Sequence, residues 1–133
     1  MQKEDIEALK RVFEDDEKIL AAYLFGSKAR ETDVKGSDID IAVLLSSTPE
    51  DLLDYYLNLL NKLSEILGDK LDLIILNTAP PLLKHQVIKR GKLIYARSER
   101  SRIIFEASAQ CEYLDFKRAM ERYYECLIKQ ILL

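Results

Sequence analysis

Apolar and polar positions along the chain switch between a helical and a strand period. Over residues 3–17, Ile6, Leu9, Val12 and Phe13 recur at helical spacing and predict a first amphipathic helix. "ILAAYLF", 19–25, is a strand-length apolar run. "DIDIAVLL", 38–45, opens as an alternation that sets Ile39 against Asp38 and Asp40, then becomes continuously apolar, the pattern of a central strand covered on both faces. Thr48-Pro49-Glu50-Asp51 reads as an N-cap, a first-turn proline and early acidic residues, so a helix is expected from there to Leu67, closed by Gly68. "KLDLIIL", 70–76, is a third strand with Asp72 near its start. After "NTAPP" the pattern predicts a short helix over 81–90 closed by Gly91, a short strand "KLIYA", and a helical tail from about residue 100, as one long helix or two shorter ones. That tail carries more apolar residues, Phe116, Tyr123, Tyr124, Ile128 and Ile131 among them, than one modest domain needs to cover its core, and so offers a partner surface.

The order of elements implies an α/β (α+β) architecture, a sheet flanked by helices. With 133 residues the chain is expected to form one domain, a core over about 1–98 and a C-terminal helical segment over about 99–133. Hydrophobic residues make up 48% and charged residues 32%, which implies an ordinary packed core rather than disorder. A net charge of −3 gives no global attraction for nucleic acid. Cys111 and Cys126 form no Cys-x-x-Cys pair, so neither a zinc site nor a disulfide framework is signalled, and core or interface packing is expected for both. No apolar segment approaches the ~20 residues of a membrane span, and a cytoplasmic location is the expectation.

The stretch "GSKARETDVKGSDID", 26–40, concentrates the polar chemistry. Side chains at i and i+2 of a strand share a face about 7 Å apart, so Asp38 and Asp40 point together and need a positive neighbour. Carboxylate oxygens suit a hard ion such as Mg²⁺. A third carboxylate on a neighbouring strand, Asp72, would complete a cluster able to hold two ions about 4 Å apart; a strand-start Asp is also a common turn residue. Gly26 lets backbone approach a phosphate, Ser27 adds a hydroxyl, and Arg30 adds a bidentate cation, unless it pairs with Glu31 or Asp33. His85, the only histidine, is expected at the surface, and Tyr113, Tyr123 and Tyr124 in packing.

Gly-Ser, ten residues, then Asp-Ile-Asp resembles the signature of the DNA polymerase β-like nucleotidyltransferases. "LFGSKAR…GSDIDIAVLL" is similar to their minimal nucleotidyltransferase (MNT) branch, and "FEASAQCEYLDFKRAMERYYE" resembles the tail of the MntA-type adenylyltransferase antitoxins that pair with HEPN toxins. The resemblance implies a mixed sheet, ATP as substrate with Mg²⁺ or Mn²⁺, and transfer of AMP to a tyrosine of a cognate HEPN ribonuclease, bound as a hetero-oligomer and thereby neutralised. It assigns Asp38, Asp40 and Asp72 as catalytic metal ligands, Asp72 also as base, and Gly26, Ser27, Arg30 and Ser37 to the nucleotide. Glu31 departs from the pattern, where many relatives carry glycine. Two further readings stay open at this point: inhibition of the partner by binding alone through the C-terminal helices, and nucleotidyl transfer to a small molecule.

Overall fold

In the computed structural model, residues 3–25, 39–68 and 70–132 are described. The chain runs α1 (Lys3–Asp15), β1 (Ile19–Phe25), β2 (Ile39–Leu45), α2 (Leu52–Leu67), β3 (Leu71–Ile75), a 3-10 turn (Leu76–Thr78), α3 (Pro81–Arg90), β4 (Lys92–Ala96) and α4 (Glu99–Leu132). The four strands form one mixed sheet in the order β3-β2-β1-β4. β1 is antiparallel to both β2 and β4, while β3 lies parallel to β2 after the α2 crossover. β2 is therefore an inner strand, as its continuous apolar run requires.

Strand alternation divides the core into two layers. Ile41, Val43 and Leu45 of β2 pack with Leu73 of β3, Leu9 and Phe13 of α1, and Leu59 and Leu63 of α2. Ala42 and Leu44 turn to the opposite face and pack with Tyr23, Leu76 and Val87 of α3. α1 and α2 thus cover one face, and α3 with the start of α4 covers the other.

Side chains far apart in sequence close the element ends. No basic residue stands in the last turn of α1. Its orphan carbonyls are taken instead by Arg97, just beyond β4, whose Nη2 donates to the carbonyls of Phe13, Glu14 and Asp16 while Nε donates to that of Ile19. The Asn77 amide extends the ladder at the end of β2: the Leu45 N–H donates to its Oδ1 at 2.8 Å, and its Nδ2 donates to the Leu45 carbonyl at 2.9 Å. Gly68 closes α2 at φ 88°, backbone that a side chain would strain. Gly91 closes α3 for a different reason, close approach: a Cβ there would stand 2.3 Å from the Val87 carbonyl oxygen and 3.3 Å from that of Leu24.

Several expectations change. The α2 cap is Asp51, not Thr48; its carboxylate accepts from the Asp54 N–H at 3.0 Å, so Pro49 and Glu50 precede the helix. The tail is one helix of 34 residues. Both cysteines are exposed on it, so neither takes the core position that was one of the two expected. His85 is half-buried rather than at the surface, stacked on Tyr113 with ring centroids 3.7 Å apart. That stack and the Lys84–Glu112 ion pair at 3.1 Å join α3 to α4. Past Tyr113 the helix leaves the body, and Tyr123 and Tyr124 are exposed on it. Among the described residues no helix is long and apolar enough to cross a membrane.

Candidate functional site

Asp40 and Asp72 come together by strand register. Asp40 of β2 stands opposite Asp72 of the parallel strand β3, and on its other side opposite Phe25 of β1. Asp40 lies two residues before Ala42, and Asp72 two before Ile74, so both carboxylates fall on the α3–α4 face of the sheet. Adjacent strands run about 4.8 Å apart, so the two side chains leave neighbouring backbones on one surface. Asp40 is half-buried and Asp72 exposed, so the pair sits where the apolar layer ends and solvent begins.

The sequence places these residues here for a local reason. Ile39 and Ile41 on β2, and Leu71 and Leu73 on β3, bury toward α1 and α2, and this fixes the phase that turns each intervening aspartate to the other face. A one-residue slip of either strand would bury a carboxylate and expose its neighbours.

Gly26, Ser27, Arg30, Ser37 and Asp38 lie outside the described residues, as does Glu31. Of the sequence-derived site, the described residues unite Asp40 with Asp72. Phe25 and Asp40 are paired across β1 and β2, so β1 ends and β2 begins at the end of the sheet that carries the pair. No group of three or more His, Cys, Asp or Glu side chains positioned to hold a metal occurs among the described residues. The pair is nonetheless an all-oxygen donor set with one member open to solvent, which fits a hard divalent cation that retains water and substrate oxygens.

Basic residues that sequence reasoning passed over gather at the same end of the sheet. Lys92 pairs with Leu24, next to Phe25, and follows Arg90 and the tight Gly91 turn. The topology could not be read from the chain alone, because β4 reaches β1 only after α3 has crossed the sheet.

Behind the site the same face holds a polar network. The Tyr23 hydroxyl donates to Glu106 Oε1 at 2.8 Å, and Arg102 donates to Glu106 at 3.0 Å and to Glu99 at 2.6 Å. Burial, followed by the hydrogen bond to Glu106, pushes the Tyr23 phenol well above its ordinary value. Tyr23 therefore stays protonated and ties the sheet to α4.

The family model described as "Polymerase beta, Nucleotidyltransferase" matches residues 7–100, which include both strands of the aspartate pair. The chain belongs to the polymerase beta nucleotidyltransferase family. Within that nucleotidyltransferase family it is 35% identical over 82 residues to the protein adenylyltransferase MntA of Shewanella oneidensis, an alignment covering 62% of this chain and 58% of MntA. The chain thus matches a little over half the length of that relative. Among solved structures it resembles a toxin–antitoxin crystal structure with AMP-PNP, at 25% identity and TM-score 0.71, over 96% of this chain and 98% of the other. It also shares the fold of a chain from the tri-AMPylated S. oneidensis HEPN toxin in complex with MNT antitoxin, at 24% identity and TM-score 0.68, over the full length of both. These likenesses extend through α4, beyond the span of the family model.

Proposed function

We propose that this nucleotidyltransferase transfers AMP from ATP to a tyrosine hydroxyl of a HEPN partner protein and so neutralises it as an antitoxin. The observation that carries the reading is the in-register pair Asp40–Asp72 on one face of the family's sheet. The identity to an adenylyltransferase supports the chemistry, and the crystal structure containing AMP-PNP supports ATP as the nucleotide.

In this reading Asp38, Asp40 and Asp72 would hold Mg²⁺, which would supply positive charge against the phosphate oxygens and lower the cost of charge on the leaving group. Gly26, Ser27, Arg30 and Ser37 are the residues that would bind the nucleotide, Gly26 and Ser27 through backbone amide and hydroxyl to its phosphates. Asp72, open to solvent, takes the proton of the acceptor hydroxyl. The hydroxyl oxygen bonds to the α-phosphorus as the bond from that phosphorus to the bridging oxygen breaks, and pyrophosphate leaves. Little covalent help is needed from the protein, since in-line positioning and charge neutralisation supply most of the acceleration.

The uncovered length of α4 supports a protein acceptor over a small molecule, because its exposed Leu114, Phe116, Tyr123, Tyr124 and Ile128 form a surface suited to another protein. Pyrophosphate release from ATP and Mg²⁺, followed with and without a HEPN protein from the same genome, tests the reading. Release that requires the partner supports it, and release that is absent or indifferent to the partner contradicts it.

A further inference from the structure

The sheet-facing stripe of α3 ends on a cation. Leu83 and Val87 pack into the apolar layer on the face of the sheet that carries Asp40 and Asp72. Arg90 stands seven residues after Leu83 and three after Val87, so helical spacing sets it on the same stripe, one turn past the last buried residue. It is exposed, and no hydrogen bond or ion pair holds its guanidinium among the described residues. The two neighbouring lysines leave in other directions. Lys89 lies two residues past Val87, about 200° around the helix and so away from the sheet. Lys92 pairs with Leu24, whose side chain packs in the layer under α1 and α2, and therefore starts from the opposite face. Arg90 is the cation of this turn that stands on the aspartate face.

The turn after it fixes where α3 ends. A Cβ on Gly91 would stand 3.3 Å from the Leu24 carbonyl oxygen, so the helix finishes over the last residues of β1. Phe25 pairs with Asp40, and Asp40 with Asp72. Across this end of the sheet the order is Arg90 over β1, Asp40 on β2 and Asp72 on β3. Adjacent strands are ~4.8 Å apart, so the backbones at Arg90 and Asp72 are separated along the sheet by about two spacings, with Asp40 between. The carbonyl end of α3 faces the same way and disfavours an anion, so a phosphate here needs a full positive charge beside it.

We propose that Arg90 binds the two phosphates of ATP that leave as pyrophosphate. This rests on the AMP-transfer reading and adds a residue that acts on the leaving group. In-line displacement puts the attacking and departing oxygens on opposite sides of the α-phosphorus. With Asp72 taking the proton of the acceptor hydroxyl on the β3 side, the departing oxygen faces β1, where Arg90 stands. As the bond from phosphorus to the bridging oxygen breaks, that oxygen keeps the electron pair. The charge it gains then lies beside a guanidinium that can donate two parallel N–H bonds to phosphate oxygens. AMP lacks both of these phosphates, so the same contact separates ATP from AMP.

Calorimetric titration of the full chain with ATP, AMP and inorganic pyrophosphate, in Mg²⁺, tests this in Arg90→Ala, Arg90→Lys and Lys89→Ala. Arg90→Ala should weaken ATP and pyrophosphate binding about tenfold or more, the loss of a charge-assisted contact, and leave AMP binding unchanged. Arg90→Lys keeps the charge without the fork and should fall between, and Lys89→Ala should match the wild type. A merely structural role at the end of α3 would lower the melting temperature without separating ATP from AMP. Wild-type ATP affinity in Arg90→Ala, an equal loss for AMP, or an equal loss in Lys89→Ala overturns the proposal. Arg90-dependent ATP binding by a chain that transfers no AMP to a HEPN protein leaves the phosphate contact in place and refutes the transfer reading alone. AMP transfer with an ATP affinity indifferent to Arg90 does the reverse.

Discussion

Asp40 and Asp72 stand opposite each other on the parallel strands β2 and β3, with their side chains on one face of the sheet. Their backbones are joined through the ladder of an interior strand, so the pair is held by the core and not by a loop. Replacing either carboxylate with an amide of equal size removes charge and leaves the packing alone. Asp40→Asn and Asp72→Asn are each expected to lower AMP transfer by at least about 100-fold, with circular dichroism and melting temperature close to those of the wild type. Chelation of divalent ions by EDTA should abolish transfer in the wild type and be reversed by added Mg²⁺.

One buried phenol, Tyr23, and one half-buried phenol, Tyr55, make stability depend on alkaline pH. Tyr23 donates to Glu106, and Tyr55 donates to Asp16 Oδ2 at 2.6 Å; burial first, and then the carboxylate partner, raises both above the ordinary phenol value. Groups with raised values in the folded state favour folding below the unfolded phenol value near 10, and that stability is lost as pH rises above it. Denaturant midpoints should fall above pH ~10, and the double variant Tyr23→Phe/Tyr55→Phe should show a shallower fall.

Asn77 reaches back to satisfy both backbone groups of Leu45 from the turn after β3. Asn77→Ala leaves a donor and an acceptor at the end of an inner strand without these partners. The expected cost is about 2 kcal/mol in urea unfolding, with the denaturant slope unchanged.

Gly91 separates α3 from β4 where two carbonyl oxygens crowd the space a side chain would occupy. Both are backbone atoms and cannot swing away. Gly91→Ala should therefore destabilise by about 1–3 kcal/mol, read from the same unfolding curves. Gly68→Ala tests a different property, since nothing lies within 4 Å of its added Cβ and only its left-handed φ opposes the change.

The elements were legible where a local signal is complete. "KLIYA" is β4 over Lys92–Ala96, and Pro81 to Arg90 is α3, because a first-turn proline and a closing glycine punctuate that helix. Thr48 failed as the α2 cap because Asp51 offers the same chemistry three residues later, and only the backbone path decides between them. The exposure of Cys126 was hidden because α4 outruns the body it packs on, and an apolar helix pattern does not say where its cover ends, whereas Cys111 is exposed where α4 still packs on α3. His85 was misjudged because its neighbour Tyr113 comes from α4, 28 residues later. Of the site, the alternation along β2 and β3 gave the face of Asp40 and Asp72, whereas their register needed the sheet order.

The intact mass of a HEPN protein from the same genome, after incubation with this chain, ATP and Mg²⁺, tests the central claim most directly. The account predicts a gain of one or more AMP masses, localised to tyrosine by fragmentation, and no gain with Asp72→Asn. An unchanged mass in a stable complex of the two proteins would contradict it and leave neutralisation by binding as the function.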